Sequence, residues 1–159
     1  MTDAFVVDQA VTKADLRATA DLFEAYAASL PIDLAYQDFA DELASLPGKY
    51  ARPCGALLLA RGKDKAPIGC VGLRPLAQDG CCEMKRLYVL PGARGLGLGR
   101  ALASAAIDAA RRIGYNELRL DTLETMAAAL ALYAQLGFHR IAPYYAPTPR
   151  GTVFMALGL

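Results

Sequence analysis

Apolar side chains recur at helical spacing through Leu16, Ala20, Phe23 and Ala27, which predicts a first helix over 8–30. Thr12 followed by Asp15 reads as an N-cap with an acid in the first turn, and Pro31 stops the helix. Phe39 and Leu43 share one face of a second, short helix over 36–46, ended by Pro47-Gly48. The spacing then tightens into nearly continuous apolar runs. Residues 56–60 and 68–73 read as strands joined by the polar turn 61–65. Asp79-Gly80 makes a further turn, and 82–90 is a third strand. With connections this short, the three strands are expected to be antiparallel neighbours.

Beyond residue 90 the pattern alternates. A glycine-rich loop over 91–97 leads into an alanine-rich helix, 98–113, closed by Gly114. A strand over 117–121, a helix over 125–136 ended by Gly137 and a short strand over 138–141 follow, with a last strand at 152–157. This order fits an α+β fold with a mixed central sheet flanked by helices, and makes 82–121 a right-handed parallel crossover. Without repeats or linkers, 159 residues predict one domain over 1–159.

Composition removes several functions. Seventeen basic against sixteen acidic residues give a net charge of +1, so bulk charge argues for neither nucleic acid nor an anionic membrane. No apolar run reaches the roughly 18 residues of a bilayer span. The start Met1-Thr2-Asp3-Ala4-Phe5 lacks the basic and apolar blocks of a secretory leader. Cys54, Cys70, Cys81 and Cys82 form no CxxC pair and read as free thiols of a reducing compartment, so a cytoplasmic protein is expected. One histidine, His139, and scattered acids give no metal signature, and no GxSxG is present. Lys85-Arg86 and Arg111-Arg112 read as solvated faces.

The most informative stretch is Arg94-Gly95-Leu96-Gly97-Leu98-Gly99-Arg100, between a strand and a helix. Glycines there let backbone N–H groups converge on phosphate oxygens at a helix N-terminus, and Arg94 and Arg100 add charge-assisted donors. Gly99-Arg100-Ala101 lacks the Gly-Lys-Ser/Thr of a P-loop. A dinucleotide GxGxxG fails because its third glycine falls on Arg100 or Leu102.

Arg94-x-x-Gly97-x-Gly99, after Leu87-Tyr88-Val89-Leu90-Pro91, resembles the [Arg/Gln]-x-x-Gly-x-[Gly/Ala] motif of GCN5-related N-acetyltransferases. Leu132-Tyr133-Ala134-Gln135-Leu136-Gly137-Phe138 resembles the Leu-Tyr-x-x-x-Gly-Phe signature of the same family. The resemblance is sharp over 82–138, whereas the first 75 residues match in element order alone. It implies acetyl-CoA as cosubstrate, with the pyrophosphate on Gly95, Leu96, Gly97, Leu98, Gly99 and Arg100 beside Arg94. It also implies that the pantetheine arm pairs with the backbone of Leu87 and Val89 by β-augmentation. Tyr133 is implied as hydrogen-bond donor and general acid to the CoA sulfur. With a thiol near 8.5 and a phenol near 10, full transfer is mildly uphill, which leaves hydrogen bonding as an equal role.

Two carboxylates match base positions of family members, Glu83 and Asp121. Strand alternation puts Glu83 on the face of Leu87 and Val89, and Glu83 is slightly preferred. Met126 stands where many members carry an asparagine that contacts the arm. The acceptor is expected between 30–36 and 143–147, as a small amine or amino-acid-like molecule whose carboxylate Lys49 or Arg74 could bind. A peptide or protein amine is the competing acceptor, and a noncatalytic acyl-CoA-binding module the competing class. The apolar C-terminal stretch 153–159, if exposed, permits a homodimer.

Overall fold

The computed structural model describes residues 5–159; residues 1–4, on which the leader-free reading of the N-terminus rests, lie outside the described residues. A seven-stranded mixed sheet has the order β1-β2-β3-β4-β5-β7-β6. Its strands are β1 (Phe5–Gln9), β2 (Ala56–Gly62), β3 (Pro67–Pro75), β4 (Cys81–Val89), β5 (Glu117–Leu123), β6 (His139–Ile141) and β7 (Thr152–Gly158). The helices are α1 (Lys13–Ser29), α2 (Phe39–Ala44), α3 (Leu98–Ile113) and α4 (Ala127–Gln135). β1 to β4 form an antiparallel meander, β4 and β5 are parallel, and β7 lies antiparallel between β5 and β6. The expected α+β fold is present.

Two apolar layers enclose this sheet. On one face Leu102, Ala103, Ala106 and Ala110 of α3 pack with Leu58, Val71, Met84, Leu118 and Tyr133. Small alanines on that helix let it approach the strands closely. On the other face Leu22 and Phe23 of α1 meet Tyr50, Leu57, Leu59 and Cys70, with Phe39 and Leu43 of α2 against them. Phe23 is fully buried, which contributes about 1.5–3 kcal/mol over leaving it exposed.

Helix α1 begins with a complete capping box. Thr12 Oγ1 accepts from the Asp15 amide, and Asp15 Oδ2 accepts from the Thr12 amide. Asp8 and Gln9, assigned above to this helix, instead close the edge strand β1, where Asp8 faces solvent opposite Leu59. Five residues of edge strand carry too little alternation to be told from a helix start. The C-terminal run is corrected as well. Val153, Phe154, Met155 and Ala156 are buried in β7 between two strands, so they are not exposed for a second copy to cover.

Two irregularities in β4 shape the site. Cys70 pairs with Tyr88 and Gly72 with Lys85, so Arg86 and Leu87 together oppose Val71, and Arg86 takes a φ of +60°. This is a β-bulge. The second irregularity is a splay. β4 pairs with β5 through Cys81, Cys82 and Glu83 alone, leaving Met84 to Val89 without a neighbour on that side.

Candidate active site

The loop after β4 makes one wall. A short 3-10 turn, Pro91–Ala93, leads to Gly95 and Gly97 with φ of +87° and +80°, a conformation that glycine adopts without strain. A Cβ at either position would meet nothing within 4 Å, so this backbone lies open on its outer side. Gly97 caps α3 without a side-chain bond, and none of the amides from Gly95 to Arg100 donates to a protein acceptor among the described residues. Six unpaired donors at the positive end of a helix dipole suit a polyanion. Arg94 Nε bonds the Val89 carbonyl at 3.2 Å, and Arg100 bonds Gln135 of α4. This ties the loop to β4 on one side and to α4 on the other.

A small cavity of about 60 Å³ lies in the splay, bounded by Leu87, Lys85 and Arg86 of β4, Asp121 of β5, and Met126 and Tyr133 beside and on α4. Burial, followed by the charges of Tyr26 and Asp121, pushes the Tyr133 hydroxyl above the usual phenol range. Tyr133 thus holds its proton through the neutral range. Its ring packs edge-on against Phe138, with centroids 5.7 Å apart, which joins the two ends of the second motif.

Next to this cavity a cleft of about 530 Å³ opens among Tyr36, Tyr50, Arg74, Glu83, Lys85 and Tyr145. Lys85 borders both spaces. Of the expected acceptor walls, Tyr36, Tyr144 and Tyr145 line the cleft, whereas Leu30, Ile32 and Leu34 bound a separate, smaller space with Met126.

Between the spaces runs a buried polar network. Arg74 Nε bonds Glu83 Oε1 at 2.9 Å, and the Tyr144 hydroxyl donates to Oε2, so both oxygens of Glu83 are taken. Lys85 Nζ lies 3.4 Å from Asp121 Oδ2, and the Tyr145 hydroxyl donates to the same oxygen at 2.5 Å. Both bonds fall on Oδ2, leaving Asp121 Oδ1 without a protein partner among the described residues. Arg86 grips Glu42 through Nε at 3.0 Å and Nη2 at 3.1 Å. Gln37 Oε1 accepts from Lys85 at 3.0 Å and from Arg86 at 2.7 Å, while its amide nitrogen donates to Tyr36 and Tyr145. Burial pushes the Lys85 ammonium below the usual lysine range, against the pull of Glu83 and Asp121. At Glu42 burial works upward, but the bonds and charge of Arg86, with Arg74, hold the carboxyl below its ordinary value.

Three readings of the sequence change here. The bulge reverses the alternation of β4, so Leu87 and Val89 join Cys82 and Met84 against α3 while Glu83 lies on the opposite face, toward the cleft. Lys85 and Arg86 are 5% and 4% exposed, the reverse of a solvated face. Gln37, Glu42 and the hydroxyls of Tyr144 and Tyr145 join the site without having been singled out for chemistry. Only the paired tyrosines left a signal, as an aromatic wall. The other predicted residues stand together: Tyr133 and Asp121 border one cavity, the loop lies at the end of β4, and Leu87 and Val89 lie on its splayed stretch. Among the described residues, no group of three or more metal-ligating side chains is present and no helix is long and apolar enough to cross a membrane.

Comparison with known proteins agrees with this geometry. A model described as the acetyltransferase (GNAT) family matches residues 19–138. An uncharacterized N-acetyltransferase of Schizosaccharomyces pombe is 41% identical over 86% of this chain and 83% of its own length. Another, from Dictyostelium discoideum, is 28% identical over 87% of this chain and 92% of its own. Among solved structures, a GNAT-family acetyltransferase of Staphylococcus aureus superposes with a TM-score of 0.80 at 19% identity, covering 98% of this chain and 99% of that one. A phosphinothricin acetyltransferase of Sinorhizobium meliloti, determined in complex with acetyl-CoA, superposes with a TM-score of 0.72 at 20% identity, covering 98% and 89%.

Proposed function

Because the chain belongs to the acetyltransferase (GNAT) family and is an acetyl-CoA-dependent acetyltransferase, we propose that it acetylates the primary amine of a small molecule held in the cleft, with Asp121 as base and Tyr133 as acid. The observation that carries this reading is the shared cavity at the splay, where a carboxylate with one free oxygen and a protonated phenol face the same space. The cleft's 530 Å³ suits a small molecule.

The residues present fit the cosubstrate. The free amides from Gly95 to Arg100 would hold its pyrophosphate, with Arg94 at the edge. The unpaired stretch of β4, with Leu87 and Val89, would take its amide-rich arm as an added strand. When bound, it supplies an activated acyl carbon on a thiol leaving group.

Asp121 Oδ1 receives a proton from the acceptor nitrogen, directly or through one water. An ammonium acceptor gives up two protons in all, one before attack and one as the C–N bond forms and the C–S bond breaks. Tyr133 returns one to the departing sulfur and the other leaves to solvent, so one proton is released per turnover. Its raised pKa favours holding the sulfur by a hydrogen bond until the C–S bond is largely broken. Glu83 is the poorer base because Arg74 and Tyr144 already occupy both of its oxygens.

The test is CoA release with purified protein and a panel of primary amines. Asp121→Asn should lower kcat by about 10²–10⁴-fold and Tyr133→Phe by about 10²-fold. Unchanged kcat in Asp121→Asn, with loss in Glu83→Gln, would transfer the role of base to Glu83.

A further inference from the structure

We infer that the acceptor is an amino carboxylate and that Arg74 and Tyr50 bind its carboxylate group. This rests on the acetyl-transfer reading above and adds the class of acceptor. The argument is a count of what the cleft already satisfies. Its buried carboxylates are each met by a cation: Glu42 by Arg86, Glu83 by Arg74, and Asp121 by Lys85. Asp38 and Asp41 at the mouth are exposed and solvated. An entering molecule therefore finds no buried carboxylate short of a cation.

Donors are the groups left over. Tyr50 is 2% exposed, and its hydroxyl is the buried side-chain polar atom without a hydrogen-bond partner among the described residues. It lies beside the Glu42 carboxylate but makes no bond of ordinary geometry to it. Packing fixes the ring. Phe23 meets it edge-on at 5.8 Å, and Gly72 leaves the space it fills, since a Cβ there would come within 2.6 Å of the ring. Arg74, with a side chain 22% exposed, spends Nε on Glu83, and its Nη1 lies a long 3.7 Å from Glu42. Lys49 stands exposed at the rim with no ion pair among the described residues.

Beside the Glu42 carboxylate, the Tyr50 hydroxyl makes no ordinary hydrogen bond and the Arg74 guanidinium keeps donors to spare, a pair that matches an entering group which only accepts hydrogen bonds and carries negative charge. A carboxylate is that group. Lys85 lines both this cleft and the cavity of Asp121 and Tyr133, so the two spaces meet at its side chain, where the amine of such an acceptor would approach the base.

The experiment compares L-amino acids with their carboxamides and decarboxylated amines, measuring CoA release by the full chain. At least one amino acid should show kcat/KM about 100-fold or more above both of its analogues. Arg74→Gln should raise acceptor KM about tenfold or more, and Tyr50→Phe about 3–10-fold, with kcat less affected. Tyr50→Phe removes a single unpartnered hydroxyl, so it reads the site even where loss of Arg74 disturbs folding through Glu83. Preference for amides, decarboxylated amines or peptides would overturn the inference, as would unchanged acceptor KM in both variants or rejection of every amino acid. A thermal shift with acetyl-CoA in the same preparations separates the failures. A shift alongside any of those outcomes leaves the acetyltransferase reading standing, and no shift sinks that reading too.

Discussion

The two sides of the site are built by different means. The side proposed for the phosphates is backbone: a run of free amides, two left-handed glycines and an uncapped helix, all within a few residues of one another. The acceptor side is side chains: Gln37, Glu42, Arg74, Lys85, Arg86, Asp121 and two tyrosines, drawn from both ends of the chain. A backbone site needs particular φ values and open space, so local residue types announce it. A side-chain network needs each charge to meet a partner that folding alone brings near.

The sides should therefore fail differently. The largest effect is expected on the acceptor side. Arg86→Met leaves the buried Glu42 carboxylate with the more distant Arg74 guanidinium alone, at 3.7 Å, and should cost about 3 kcal/mol in urea unfolding. Adding Glu42→Leu should recover much of that loss. No recovery would mean that the network is held by shape and not by charge, and the contrast would break.

On the phosphate side the fold should survive while the ligand is lost. Gly97→Asp places a side chain into open space but sets a negative charge at the proposed pyrophosphate site. Acetyl-CoA affinity should fall about 100-fold, or about 2.8 kcal/mol, with a smaller strain cost of about 1–2 kcal/mol to the free protein. A calorimetric titration beside a melting curve reads both. The smallest effect is a change of slope with pH. Glu42 is held below its ordinary value in the fold, so its stabilisation is present above the unfolded value and lost as pH falls through the lowered one. Glu42→Gln should flatten that acid limb of stability, measured by urea unfolding from neutral pH downward.

The same contrast explains what the sequence disclosed. Thr12 and Asp15 announced the start of α1, and Gly114 and Gly137 the ends of α3 and α4, because each acts on its own neighbours. The glycine loop and Tyr133 were legible for that reason. Lys85 and Arg86 were not, since nothing beside them in the chain tells that Gln37 and Glu42 will fold over them. Glu83 was found, but alternation put it on the wrong face. One extra residue reversed the count, and an arginine with positive φ leaves no mark that distinguishes it from an ordinary strand arginine.

That extra residue works like a shift of reading frame within the strand. Upstream of Arg86, odd-numbered side chains look toward the acceptor; downstream, odd-numbered ones look toward α3. Removing Arg86 alone would let Lys85, Leu87 and Tyr88 pair in simple alternation with Gly72, Val71 and Cys70, so Leu87 and Val89 would keep the helix layer and the grip on Glu42 would be lost. A length change in the 63–65 turn alters a loop; a deletion in the regular stretch after the bulge would instead turn over the face of every residue from there to the glycine loop. The frame of β4 should accordingly tolerate a one-residue deletion at Arg86 and not on either side of it.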